Sequence, residues 1–240
     1  MIELRGIRFA YEAGAPVLDG LDLRLGPGLT LLVGPNGCGK STLLRLAAGV
    51  ERPDEGRVTI EGLDLWRDEA AARRPLAYVP EHSDLSPYAS LSEVLRLVCR
   101  LRGEPLGCAV SALAEAGLSD RAQATVRQLS AGQRRRALLA AAWVGRPRVV
   151  LLDEPLEALD RGLQDGVLGW IARLVAEGAA VVVVSHQLEP FAAAATSVVT
   201  LRNGSARGPL ELPREAGARL ALLDRLARGD DEVACGPTPA

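Results

Sequence analysis

Lysine is nearly absent from this 240-residue chain. Of its 28 basic residues only Lys40 is a lysine, and the other 27 are arginines. An excess of one charge is absent too. Thirty acidic residues leave a formal net charge of −2, so no bulk basic field points to nucleic acid as a partner. Cysteine is scarce: Cys38, Cys99, Cys108 and Cys235 form no C-x-x-C pair. That argues against a zinc site and a disulfide framework and fits a reducing, cytosolic compartment. Long apolar runs are also missing. The longest, AAVVVV near residue 181, is far too short to span a bilayer. The N-terminal stretch MIELRGIRFAYE alternates and carries charges, unlike a secretory signal. The chain therefore reads as soluble, with one or two domains and enough length to bury a core. No internal repeat is visible.

What is present is an alternation of strand and helix patterns. Residues 2–8 and 21–25 alternate as strands do, and LTLLV (29–33) reads as a buried strand. A helix follows Lys40 and stops at Gly49. RVTIEG and LAYVP are short strands. From about residue 90 to 146 the pattern turns helical: LSEVLRLVCRLRG, AVSALAEAG and AGQRRRALLAAAWVG. RVVLLDEP (148–155), AAVVVVSH and SVVTLRNG are strands, the last ending in an Asn-Gly turn. Strands broken by helices predict an α/β fold on a parallel sheet with an inserted helical piece. The tail RGDDEVACGPTPA, rich in Gly, Pro and acids, is expected to be frayed.

The lone lysine sits in GPNGCGKST, residues 34–42. Gly34, Gly39, Lys40 and Ser41 satisfy G-x-x-x-x-G-K-[ST] between a hydrophobic strand and a helix, the context that phosphate-binding loop requires. Glycines let main-chain N–H groups turn inward around phosphate oxygens, and the helix N-terminus adds a favourable dipole. Lys40 is a compact point charge for the β and γ phosphates, where arginine's planar fork does not fit. Ser41 would offer a hydroxyl to Mg²⁺. A GTPase usually reads guanine with Asn-Lys-x-Asp, and the chain has no second lysine to make that motif.

VVLLDEP adds two acids at a strand end. Asp153 is placed to hold the water shell of magnesium and Glu154 to polarise an attacking water. Alone, such a pair could equally be two solvated acids. LSAGQ (129–133) then opens a helix upstream of that strand. A plain N-cap would explain Ser130, though not the Ala-Gly-Gln that follows.

With these motifs in order, the sequence resembles the ATP-binding cassette (ABC) ATPases over about residues 2 to 208. GPNGCGKST resembles the family's Walker A loop, LSAGQ its signature, VVLLDEP its Walker B strand, EALD its D-loop and the Ser-His pair at 185–186 its switch histidine. The resemblance implies a P-loop NTPase (RecA-like) parallel-sheet core with an N-terminal antiparallel β subdomain. A helical subdomain is inserted at about 86–146, and 209–240 forms a C-terminal extension, partly disordered. It implies ATP and Mg²⁺ as cofactors and ATP hydrolysis coupled to transport. The nucleotide would be held by Tyr11, stacked on adenine with Val17 packing nearby, and by Gly34, Pro35, Asn36, Gly37, Cys38, Gly39, Lys40, Ser41 and Thr42. Ser130, Ala131, Gly132 and Gln133 would meet the γ-phosphate bound by the opposite subunit, with Asp160 in the D-loop. Glu154, His186 and Lys40 would be catalytic, and Ser41, Glu81 and Asp153 would face the metal. The implied partners are an integral-membrane permease subunit and a second copy of this chain or a related ATPase subunit. The implied location is the cytoplasmic face of the cell membrane. A soluble, non-transport ABC ATPase or an ATP-dependent regulator of a partner is the alternative.

Two positions depart from the family pattern. Glu81 stands where most members have the Q-loop glutamine, and over YVPEHSDLSPYASLSEVLRLVCRLRG the chain resembles exporters of drugs, lipids or polysaccharides. A carboxylate there adds charge beside a triphosphate and needs the metal present. Glu157 stands where serine is commoner in the D-loop. Ala131 in place of the first signature glycine is a mild change. Arg134, Arg135 and Arg136 read as a solvated helix face beside a phosphate site, with a nucleic-acid patch as the alternative, His82 as surface, and Cys38 as a small residue at a variable motif position, with a redox switch as the alternative.

Overall fold

In the computed structural model, residues 1–12, 14–82 and 85–229 are described; the segment 230–240, which holds Cys235 and most of the expected frayed tail, lies outside them. In chain order the first elements are β1 (Ile2–Phe9), β2 (Leu18–Leu25), β3 (Gly28–Val33), α1 (Lys40–Ala47), β4 (Glu55–Ile60) and β5 (Leu63–Asp64). Next come α2 (Glu69–Arg73), β6 (Leu76–Val79), α3 (Leu91–Arg102), α4 (Gly107–Glu115), α5 (Ala131–Trp143) and β7 (Val149–Asp153). The last are α6 (Arg161–Ala176), β8 (Ala180–Val184), α7 (Glu189–Ala192), β9 (Ser197–Arg202), β10 (Ser205–Glu211) and α8 (Ala216–Arg228).

Two sheets result. β2-β1-β4-β5 is antiparallel throughout, and its first strands alternate buried and exposed positions as a sheet with one wet face must. The second sheet runs β10-β9-β3-β8-β7-β6, parallel from β9 to β6 with β10 antiparallel at the edge. β3, β7 and β8 are buried at every position. This is the expected state of near-continuous Val/Leu strands covered on both faces. One face packs on α3 to α8, and the other packs on α1 and the antiparallel sheet. The P-loop α/β class with its antiparallel subdomain and inserted helices stands as expected.

Local chemistry sets the helix starts. Ser90 and Glu93 form a capping box at α3, with Gly103 in the left-handed region at its other end. Asp160 caps α6 by accepting from the Leu163 N–H at 3.1 Å. The expected boundary at 208 falls inside β10, which pairs along β9 beyond the Asn203-Gly204 turn. Beyond it, α8 is capped by Glu215 and buries Leu223 and Leu226. Residues 209–229 are thus built into the domain, joined by Arg219, which donates to the carbonyls of Ala192 and Pro213, each at 2.8 Å.

Leu151 is fully buried at the centre of β7. Leu151→Ala is expected to destabilise the fold by about 3 kcal/mol. This would be measured as a lower urea midpoint with an unchanged slope; an unaltered midpoint would show that the strand is not held between two packed faces.

Candidate functional site

The carboxyl ends of four neighbouring strands, β3, β8, β7 and β6, meet at one edge of the parallel sheet. Each delivers one piece of the expected site, and edges of this kind are where α/β folds bind ligands. From β3 the chain enters the loop 34–39 and then α1. Gly34 has φ 152°, and a side chain there would collide with the Leu201 carbonyl oxygen. Gly39, at φ 102°, forms the N-cap of α1, and a Cβ on it would stand 2.9 Å from Val17 Cγ1. These two positions admit glycine alone. The loop therefore closes against the sheet with the N–H groups of α1's first turn free of a side-chain cap.

Lys40 Nζ donates to the carbonyls of Gly34 at 2.8 Å and Pro35 at 3.0 Å, folded back over its own loop. The β7 end presents Asp153, buried, and Glu154, half-buried. The Ser41 hydroxyl lies beside the Asp153 carboxylate, where it favours the ionised form. Glu154 Oε2 accepts from Ser185 Oγ at 3.1 Å, and Oε1 accepts from the His186 N–H at 2.9 Å. The His186 ring is 67% exposed with Nε2 3.7 Å from Glu154 Oε1. Burial pushes both carboxyl groups up. For Asp153 the Ser41 hydroxyl opposes the rise and the Glu81 charge adds to it; for Glu154 His186 and Ser185 oppose it.

Lys40, Ser41, Asp153, Glu154 and His186 line one cleft of about 400 Å³ together with Asn36, Gly37, Thr42, Glu81, Tyr11 and Val17. Tyr11 is 58% exposed. Its hydroxyl is 3.3 Å from Thr42 Oγ1, and its ring meets Phe9 edge-on at 4.9 Å. An exposed ring fixed at both ends is a stacking platform for a planar group. Gly34, Pro35 and Cys38 shape the loop without lining the cleft. Burial pushes the Cys38 thiol up against the pull of Lys40, which disfavours the thiolate a redox switch needs.

Ser130, Ala131, Gly132 and Gln133 do not line this cleft. They open α5 as a full capping box: Ser130 Oγ accepts from the Gln133 N–H at 3.2 Å, and Gln133 Oε1 accepts from the Ser130 N–H at 3.0 Å. The N-cap pattern thus accounts for Gln133 as well as Ser130. Asp160 caps α6 and pairs with Arg136 at 2.6 Å. His82 is exposed. Glu157 and Glu81 line a second, smaller cleft beside α5.

One expectation is overturned. Arg135 is only 6% exposed and does not belong to a solvated helix face. α5 turns it inward, where Nη1 donates to the carbonyls of Pro80 (2.5 Å) and Glu81 (3.3 Å), and Nη2 to those of Asp153 (2.8 Å) and Glu154. Arg134 bonds the Leu129 carbonyl at 3.0 Å. The run of three arginines concealed this, because charge runs usually face water.

No group of three His, Cys, Asp or Glu side chains among the described residues could hold a metal. A hydroxyl beside a buried carboxylate, Ser41 next to Asp153, does fit a hard divalent cation that brings further oxygen ligands with it. No helix among the described residues is long and apolar enough to cross a membrane.

A glycine-shaped loop between β3 and α1, a second strand ending in paired acids and an inserted helical segment define a P-loop α/β cassette. The sequence model of the ABC transporter family matches residues 18–157, and the chain belongs to that family. It is similar to the molybdenum import ATP-binding protein ModC of Rhodopseudomonas palustris (strain HaA2), 35% identical over 249 residues, 96% of this chain and 64% of the relative. It is also similar to the spermidine/putrescine import ATP-binding protein PotA of Marinobacter nauticus, 39% identical over 216 residues, 88% of this chain and 57% of the relative. The chain covers less than two-thirds of each of these relatives. Among solved structures, an ATP-binding subunit of an ABC transporter aligns with TM-score 0.83 at 26% identity, over 94% of this chain and 97% of that one. A dimeric post-hydrolysis ATP-binding cassette bound to ADP and Pi aligns with TM-score 0.76 at 27% identity, over 89% and 99%.

The raised carboxyl of Glu154 makes a stability prediction. Below its ordinary value near 4.5 it is protonated in both folded and unfolded chains and costs nothing. As pH rises toward the higher folded value, only the folded chain resists ionisation, so stability falls. Glu154→Gln is therefore expected to raise Tm at pH 8, with the gap closing toward pH 4. Equal melting curves at pH 8 would show that the carboxylate is well solvated.

Proposed function

We propose that the chain is the ATP-binding and ATP-hydrolysing subunit of an ABC transporter. It would work as one of two cassettes that enclose two ATP molecules, with an integral-membrane permease subunit as its partner at the cytoplasmic face of the membrane. The observation that carries this is the division of labour within one chain. The cleft holds Lys40, Ser41, Asp153, Glu154 and His186 but none of the residues Ser130–Gln133, an arrangement that fits completion of the site by a second chain.

The adenine ring would stack on Tyr11 beside Val17, and base–aromatic stacking contributes about 1–3 kcal/mol in nucleic-acid cases. The phosphates would lie over the N–H groups of the loop and of α1, with Lys40 leaving the Gly34 and Pro35 carbonyls to reach the β and γ phosphates. Ser41 and Asp153 would hold Mg²⁺, with Glu81 facing its water shell; the ion supplies neutralising charge for the phosphate oxygens. Glu154 takes a proton from the attacking water, and its raised basicity suits that step. His186, on the next strand end and exposed, contacts the γ-phosphate. Ser130 and Gly132 of the second chain close over the same phosphate, and loss of the γ-phosphate releases them.

The direction of transport has two supports that disagree. Glu81 and the stretch after it favour export. The relatives named above are import ATPases, and their similarity runs over most of this chain. Import is the better supported reading and export the second. A pull-down of the tagged chain from detergent-solubilised native membranes tests both. A stoichiometric polytopic membrane protein accompanied by an extracytoplasmic solute-binding protein supports import, and the membrane protein alone supports export. Recovery of soluble partners only overturns the transport reading and favours a soluble ABC machine.

Two substitutions test the chemistry. Glu154→Gln is expected to bind ATP and dimerise while turnover falls about 10²- to 10⁴-fold; undiminished turnover would remove Glu154 from the base role. Lys40→Arg is expected to weaken nucleotide binding about tenfold or more, because the fork cannot occupy the space of a point charge. An unchanged dissociation constant would refute that steric demand.

A further inference from the structure

We propose that Arg135 is a positioning residue for hydrolysis, a two-armed tie that fixes the strand ends bearing Glu81 and Glu154 to the helix that begins at Ser130. The inference rests on the ATPase reading above. Its basis is the geometry of one side chain. Nη1 serves the end of β6, donating to Pro80 and Glu81, while Nη2 serves the end of β7, donating to Asp153 and Glu154. Each arm thus grips a different strand, and both strands carry acids of the cleft. Nε is buried without a partner. The guanidinium is therefore oriented by the four carbonyls at the expense of its own fifth donor.

The tie acts at a demanding point of the main chain. Glu154 is a non-glycine residue at φ 48°, a conformation that persists only where the surroundings hold it. Its N–H donates to the Val184 carbonyl at 2.9 Å, and its own carbonyl is held by Arg135. The peptides on both sides of the carboxylate are therefore fixed, and with them its direction. At its other end Arg135 belongs to α5, five residues beyond Ser130, about 7 Å along the axis. A helix transmits displacement rigidly over that distance. Engagement of Ser130 and Gly132 with the second chain's nucleotide would in this way be felt at Glu154 and Glu81 of the same chain.

Burial pushes Arg135 down from its ordinary value, and the acids Glu157, Asp153, Glu154 and Glu81 hold it up. Glu157 and Glu81, the two departures from the family pattern, face the same guanidinium across the smaller cleft. They supply the negative charge that a buried cation requires. Lysine cannot replace the tie. It keeps the charge but has a single nitrogen, which cannot reach two strands as a planar fork does.

The test compares the wild-type chain with Arg135→Lys and Arg135→Gln. The readouts are kcat and KM for ATP, the dissociation constant of a fluorescent ATP analogue, Tm, and amide hydrogen exchange over residues 79–82 and 153–157. The expected result is a kcat lower by about tenfold or more in both variants, since an ångström of misplacement costs up to about 10²-fold. KM and nucleotide affinity should stay within about twofold, and exchange at the two strand ends should quicken by about tenfold or more. Wild-type kcat in Arg135→Lys would show that charge alone suffices and would overturn the tie. Joint loss of Tm, nucleotide affinity and kcat would make Arg135 a packing residue and overturn it as well. If the wild-type chain itself turns over no ATP, the ATPase reading fails. The exchange comparison then still decides the tie, with unchanged exchange at both strand ends counting against it.

Discussion

The site depends on one piece of pairing: β8 lies between β3 and β7. Leu31 stands beside Val183, and Leu152 beside Val183 on the other side. All three strands run the same way, so their carboxyl ends reach the same edge at the same height. The phosphate loop, the Ser185-His186 pair and the Asp153-Glu154 pair thereby become neighbours, although more than a hundred residues separate the first from the last. The hydrophobicity of those strands enforces this. Every position of the three is buried, and a slip of one residue would exchange the side chains packed on α1 for those packed on α6. Packing on both faces of the sheet thus holds the catalytic register, which explains how solvent-facing groups are positioned without a rigid loop of their own.

Helices and strands that end in loops leave main-chain carbonyls to be satisfied, and this chain meets that demand with arginine at several ends. Arg102 donates to the carbonyls of Ala141, Ala142 and Val144 at the end of α5, with the shortest bond 2.6 Å. Burial pushes it down to about 10, partly offset by Glu104. Arg219 gathers the carbonyls of Ala192, Ala193 and Ala195 at the end of α7. Arg135 does the same at the site. A planar fork with five donors suits several carbonyls at once, and an ammonium suits a compact anion. The same difference of task separates these three arginines from Lys40, which sits where a point charge meets the phosphate loop.

Much of this was legible in the sequence because the signals were local. Gly34, Gly39, Lys40 and Ser41 announce the loop by spacing alone, and VVLLDEP announces a buried strand with acids at its end. The parts that escaped were those in which distant segments decide. Arg135 looks like its neighbours Arg134 and Arg136; only the packing of α5 against β6 and β7 distinguishes it. α8 carries a readable signal, with leucines at 220, 223 and 226 and Gly229 as its stop, but it lies outside the motif-bearing region. α2, a single turn of five residues, has too short a period to stand out.

The charges of the resting cleft give the pieces a common logic. Lys40 is turned onto its own loop's carbonyls and Arg135 onto the strand ends, so the cations serve the main chain. The carboxylates of Asp153 and Glu154 are left to hydroxyls, an N–H and a histidine at 3.7 Å. Both are pushed up, and Glu81 adds negative charge in the same space. Such a cleft would repel a bare polyphosphate and welcome one that arrives with a divalent cation, because the metal answers the acids while Lys40 is released to answer the phosphates. Glutamate in place of an amide at position 81 would strengthen that demand: each added acid would tie anion entry more tightly to a metal, so that binding and charge neutralisation would become one event.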